Sequence, residues 1–104
     1  MVQIIWTDNA IQDLNDIGEY IAKDSVRYAE MTVSDLFNAT DILETHPRSG
    51  VKTPEFNTDS IRHLLRGDYK IVYRIIDNSR IDIIAVHNCA RLVTNTSTFR
   101  RKKK

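Results

Sequence analysis

The chain has few of the residues that announce a specialised chemistry. A single cysteine, Cys89, stands among 104 residues, so no internal disulfide can form. That usage suits a reducing compartment, and a cytoplasmic protein is expected. No apolar run approaches the length of a membrane span, so no membrane partner is expected. The apolar start Val2–Trp6 meets Asp8 at once and is too short and too acidic for a signal peptide. Glycine-rich phosphate loops and nucleophile elbows are absent. His46, His63 and His87 share no metal-ligand spacing. Neither a metal nor a cofactor is therefore expected. No repeat or linker divides the chain, and its length sets one small domain. We place that domain at residues 1–92, with residues 93–104 as a basic C-terminal arm.

What the chain does have is an uneven charge. Residues 1–59 carry four Lys/Arg against eleven acids, a net charge of −7. Residues 60–104 carry eleven Lys/Arg against Asp68, Asp77 and Asp82, a net charge of +8. Without the terminal Arg100–Lys104 the second part is still +3. An acidic scaffold and a basic working surface are implied, the latter attractive to nucleic acid or to acidic protein segments.

Val2–Trp6 is β-branched and apolar and reads as a strand. Thr7 or Asp8 then caps an amphipathic helix that ends near Lys23–Asp24. Ala10, Leu14, Ile17 and Ile21 form its apolar stripe, with Asp13, Asp16 and Glu19 turned elsewhere. Gly18 within it permits close packing against a neighbour. Ser25 caps a second helix whose face is Ala29, Val33, Leu36, Phe37, Thr40 and Leu43, and Pro47 stops it. The few residues between the helices imply an antiparallel hairpin. Residues 47–59 have two prolines, a glycine and no periodicity, and read as a surface loop. Three strands follow, Ile61–Leu65, Tyr69–Ile76 and Arg80–His87, joined by tight turns at Gly67–Asp68 and Asn78–Ser79.

Two-residue turns name the residues that face one another. Lys70 lies opposite His87, Arg74 opposite Ile83, and His63 opposite Val72, sharing a face with Ile61 and Ala85. The other face carries Leu64, Ile71, Tyr73, Ile75, Ile84 and Val86 and suits the helical hairpin better. A one-residue slip exchanges the two faces. On this register His63, Lys70, Arg74 and His87 cluster on the open face, and Arg91 follows just past the last strand. On RNA, cleavage by a neighbouring 2′-hydroxyl needs a base, an acid and cations to stabilise phosphate charge. Histidine ordinarily titrates near neutral pH, so His87 would be the proton carrier, with Lys70, Arg74 and Arg91 as phosphate clamps. Taken singly, Lys70 and Arg74 read better as ordinary solvent-facing strand residues. Arg62 reads as a structural arginine paired with an acid such as Asp82 or Glu55. Nothing supports a triad of Ser79, Asp82 and His87.

These pieces together resemble the RelE/ParE superfamily of toxins from type II toxin–antitoxin systems. The matching motifs are W-T-x-x-A-x-x-D-L at Trp6–Leu14, L-x-x-x-P-R-S-G at Leu43–Gly50, and P-E at Pro54–Glu55. Further on stand I-R-x-L at Ile61–Leu64, Y-K-I-V-Y-R-I at Tyr69–Ile75, and V-H-x-x-A-R-L at Val86–Leu92. The resemblance implies an α+β fold, with a helical hairpin packed on one face of a small antiparallel-rich sheet. It implies a cytoplasmic protein held inactive by a cognate antitoxin in a hetero-oligomer. RelE-like members cut messenger RNA in the ribosome, and ParE-like members inhibit DNA gyrase. The ribonuclease branch has a basic residue at the position of Lys70 and an arginine at that of Arg91, often followed by a tyrosine. Here Thr94–Thr98 are small and polar, and Phe99 has no hydroxyl. Trp6 at the head of the first helix, with Pro54–Glu55, resembles the ParE-type and plasmid-stabilisation branch. The expectation is therefore a growth-inhibiting, ParE-like toxin acting on a target such as gyrase. Arg62, His63, Lys70, Arg74, His87 and Arg91 are its candidate target- or antitoxin-binding residues. The alternatives are a RelE-like messenger RNA endoribonuclease using His87, Lys70 and Arg91, and a non-toxic module that retains only antitoxin binding.

Overall fold

Residues 1–53, 56 and 58–89 are described by the computed structural model of the chain. The apolar start forms β1 (Gln3–Trp6). Thr7 ends it in an extended conformation and caps α1 (Asp8–Ala22), its hydroxyl accepting from the Ala10 N–H at 3.2 Å. Ser25 does the same for α2 (Val26–Ala39), accepting from the Tyr28 N–H at 3.0 Å. The helices close up at Gly18, where an added Cβ would stand 3.1 Å from Val33 Cγ2.

The second helix does not continue to Pro47. It ends at Ala39 and tightens into a 3₁₀ turn, Thr40–Glu44. Buried Thr40 donates its hydroxyl to the Phe37 carbonyl at 2.9 Å, and such back-bonding competes with regular helix. The turn still delivers Leu43 to the core. Its Glu44 carbonyl accepts from the Val2 N–H at 3.1 Å, which covers the outer edge of β1.

The sheet is completed by β2 (Val51–Lys52), β3 (Ile61–Arg66), β4 (Tyr69–Asp77) and β5 (Arg80–Asn88). Among the described residues it has five strands in the order β1-β5-β4-β3-β2, with β1 parallel to β5 and the other pairs antiparallel. Gly67 turns β3 into β4 at φ +59°, a conformation open to glycine. The architecture is α+β, with the helical hairpin on one face. Leu14, Ile17 and Leu36 meet Ile71, Tyr73, Ile81, Ile83 and Val86 in the core.

Two further expectations are corrected. First, residues 47–59 are not all surface loop: β2 lies among them, pairing Val51 with His63 and Lys52 with Arg62, and Gly50 and Thr53 are buried. Side chains from the sheet hold this segment. Arg62 donates to the carbonyls of Asp59, Arg48 and Gly50 at 3.0, 3.3 and 3.0 Å. The Tyr73 hydroxyl accepts from the Gly50 N–H at 2.9 Å and donates to the Pro47 carbonyl at 2.8 Å.

Second, the β4–β5 register slips. Lys70 does face His87, and His63 does face Val72. Beyond Val72, however, Tyr73 pairs with Ile83 and Arg74 with Asp82, leaving Ile84 as an extra residue in β5. A second irregularity at Ile76 restores the pairing of Asp77 with Arg80. A bulge of this kind moves every side chain beyond it to the other face. Ile81 and Ile83 therefore enter the core, and Asp82 replaces Ile83 opposite Arg74. Among the described residues no helix is long and apolar enough to cross a membrane.

Candidate interaction face of the sheet

Strand alternation turns Lys70, Val72 and Arg74 to the face away from the helices. Their neighbours build three rows across the sheet. Leu65, Lys70 and His87 form one; Val51, His63, Val72 and Ala85 the next; Ile61, Arg74 and Asp82 the third. Lys70 and Arg74 are four residues apart, about 13 Å along a strand. The basic groups thus form a ladder over apolar ground rather than converging on one point.

The candidate residues divide by what holds them. Lys70 is half-exposed, and Arg74 and His87 are exposed. Among the described residues, no hydrogen bond fixes the His87 ring. His63 Nδ1 lies 3.1 Å from the hydroxyl of buried Thr53, which ties it to the end of β2. Arg62 pairs with core-facing Tyr73, and its guanidinium ties Arg48, Gly50 and Asp59 to the sheet. Its expected acid Asp82 is held instead by the Arg80 fork at 2.9 and 3.0 Å, and Glu55 lies outside the described residues. That fork, helped by Arg74, holds the Asp82 carboxyl below its usual range. Ser79 donates to Asp77 at 2.8 Å, so it assembles no triad with Asp82 and His87. Arg91 also lies outside the described residues.

The placement of His87 depends on the first helix. Because β1 stops at Trp6, the outer edge of β5 beyond Ile83 has no strand partner. The start of α1 substitutes for one. Thr7 donates both its N–H and its hydroxyl to the Ile83 carbonyl, at 3.1 and 2.8 Å. Asn9 Nδ2 donates to the Ile84 carbonyl at 2.8 Å, and the Asp13 carboxylate accepts from the Val86 N–H at 2.9 Å. These contacts pin β5 through its bulge to the residue before His87. Sequence reasoning turned Asp13 away from the core and so missed it. The available signal was its place three residues after buried Ala10, on the edge of the apolar stripe. The face as built can hold an acidic or phosphate-bearing partner by charge and by apolar contact.

Sequence comparison gives the chain a family, and structural comparison gives it a likeness of fold. A family model described as the ParE toxin of type II toxin–antitoxin system, parDE, matches residues 4–93. Toxin RelE2 of Caulobacter vibrioides is 27% identical over 92 residues, which cover 88% of this chain and 100% of that protein. The chromosomal ParDE TA system from P. aeruginosa contains a chain of similar structure, with a TM-score of 0.68 and 22% identity. That likeness covers 85% of this chain and 96% of the other, and at such identity it is a likeness of fold.

Proposed function

Because this chain belongs to the ParE toxin family of type II toxin–antitoxin systems, we propose that it stops growth by inhibiting DNA gyrase and that a cognate antitoxin neutralises it. The family match across residues 4–93 carries this reading. The open face of the sheet supports it, because Arg74 stands about 13 Å along β4 from the facing pair Lys70 and His87, so the basic groups are not all focused on one point as a reacting centre is. We place the protein in the cytoplasm, in a toxin–antitoxin hetero-oligomer of the kind that stabilises plasmids. Residues 1–92 act as the toxin domain and 93–104 as its basic arm. Arg62 would act through the segment it holds, and His63, Lys70, Arg74, His87 and Arg91 by contact.

One observation favours a second reading. Lys70 directly faces His87 across β4 and β5. A RelE-like endoribonuclease would use His87 as the proton carrier, with Lys70 and Arg91 stabilising charge on the phosphate. Expression from a tight promoter separates the two. Gyrase supercoiling is expected to fall while messenger RNA in a translation extract stays intact. Codon-positioned cleavage with normal supercoiling would overturn the gyrase reading. Toxicity that survives both His87→Ala and Arg91→Ala would remove the ribonuclease. A chain with no growth effect at all would be a non-toxic antitoxin-binding module.

A further inference from the structure

On the side of the hairpin away from the sheet, α1 and α2 flank a furrow of about 450 Å³. Ala22, Val26, Ala29 and Val33 line it, and Val33 closes on Gly18 at its middle. Helical spacing carries the apolar strip on to Ile11 and Phe37. Val26 is 62% exposed, and Ile11 and Phe37 are exposed as well. Glu19 and Glu30 stand on the rim, both exposed and without an ion pair among the described residues. From Asp8 to Glu44 the helices and the 3₁₀ turn carry nine acids against Lys23 and Arg27, a net charge of −7.

The opposite side of the molecule is the open face of the sheet. It is apolar too, with Leu65 67% exposed and Val51 exposed beside it. Its charge has the other sign, since Lys70 and Arg74 have no ion pair among the described residues. The two sides therefore match each other in apolar content and complement each other in charge. The whole chain carries a net charge of only +1, so no net repulsion holds two copies apart. A two-fold contact between like faces would set Glu19 and Glu30, or Lys70 and Arg74, against their own kind. Only a head-to-tail contact brings the opposite signs together.

We propose that the furrow of the helical hairpin docks the open sheet face of a second copy of this chain, with Glu19 and Glu30 meeting Lys70 and Arg74 across apolar ground. Each bound copy still offers one face of each kind, so the assemblies lengthen with concentration. The contact covers Lys70, Arg74 and His87 on every copy but the terminal one. Self-association thereby withdraws the open face from any other partner and returns it on dilution. The proposal does not depend on which target the toxin strikes.

Sedimentation velocity of the purified full-length chain tests it. At low salt the sedimentation coefficient is expected to rise with concentration, and high salt is expected to return it to that of the monomer. Two variants separate the faces. Glu19→Lys with Glu30→Lys disables the furrow, and Lys70→Thr with Arg74→Thr disables the sheet face. Each variant alone is expected to be monomeric. Mixed in equal amounts they are expected to form a dimer and nothing larger, because each pair then holds one intact furrow and one intact sheet face. A parent chain that stays monomeric at every concentration would overturn the proposal, as would a mixture that stays monomeric. Either variant associating as the parent does would also overturn it, because the contact would then not join the two faces. Glu19→Gln with Glu30→Gln replaces the lysine variant if that variant loses its native circular dichroism.

Discussion

Tyr73 shows how one residue can serve both the core and a distant segment. Its ring is fully buried, and its hydroxyl bonds to Gly50 and Pro47, more than twenty positions earlier. Burial pushes the phenol above its ordinary value, with the Gly50 N–H acting in the opposite sense. The raised value means that its contribution is complete below the ordinary tyrosine range and is lost as pH rises through the folded value. Tyr73→Phe would leave the buried Gly50 N–H without an acceptor. We expect a loss of about 1–3 kcal/mol in urea unfolding, with faster hydrogen exchange at Gly50. Unchanged exchange there would refute the assignment. Gly50→Ala should cost more, because its Cβ would stand 2.7 Å from the His63 carbonyl. Apolar patterning placed Tyr73 on the core face. Its polar partners were not legible, since they depend on a segment brought near only by the fold.

At the scale of the element, β5 is the part on which the candidate face depends. Its outer edge passes from β1 to the side chains of α1, and Asp13 supplies the last contact before His87. Asp13→Leu would orphan the Val86 N–H and is expected to destabilise the chain by about 1–3 kcal/mol. The effect should be centred on β5, with exchange at Val86 accelerating more than in β3. A uniform acceleration across the sheet would mean that the carboxylate has no local hold. Thr7→Ala removes a cap and the bond to Ile83 together, and a loss of about 0.5–2 kcal/mol is expected from the cap alone. The strand itself was legible from its β-branched run, as was the pairing nearest the first turn. The bulge was not, because Ile83 and Ile84 are both apolar and alternation cannot tell which of them faces inward.

Across the whole molecule, charge decides the response to acid. Hydrogen bonds from Arg66, Lys52 and Arg80 hold Asp35, Asp59 and Asp82 below the usual carboxylate range, and Ser79 does so for Asp77. A depressed folded value means that the unfolded chain binds more protons as pH falls. Stability is therefore full above the ordinary carboxylate value, near 4, and is lost below it. The melting temperature should hold between about pH 7 and 5 and fall below about pH 4. Asp82→Asn should make that fall shallower, because the Asp82 side chain is only 15% exposed, whereas Asp35 and Asp59 face solvent. A fall that begins well above about pH 5 would overturn the assignment to these carboxylates. The same pairs modify the charge division seen in the sequence. Arg66 and Arg80 are neutralised by Asp35 and Asp82, whereas Lys70 and Arg74 have no ion pair among the described residues.

Local chemistry therefore determined much of this protein. The caps at Thr7 and Ser25, the turn at Gly67, the order of the elements and the opposition of Lys70 to His87 all follow from near neighbours in the chain. The tertiary structure decided the rest. It placed β2 on the open edge of β3, shifted β5 by one residue at Ile84, and gave Asp13, Arg62 and Tyr73 their partners. The physical reason is common to all three. Each depends on backbone groups left without partners at a strand edge, a bulge or a loop, and the groups that satisfy them are brought there by other elements of the fold.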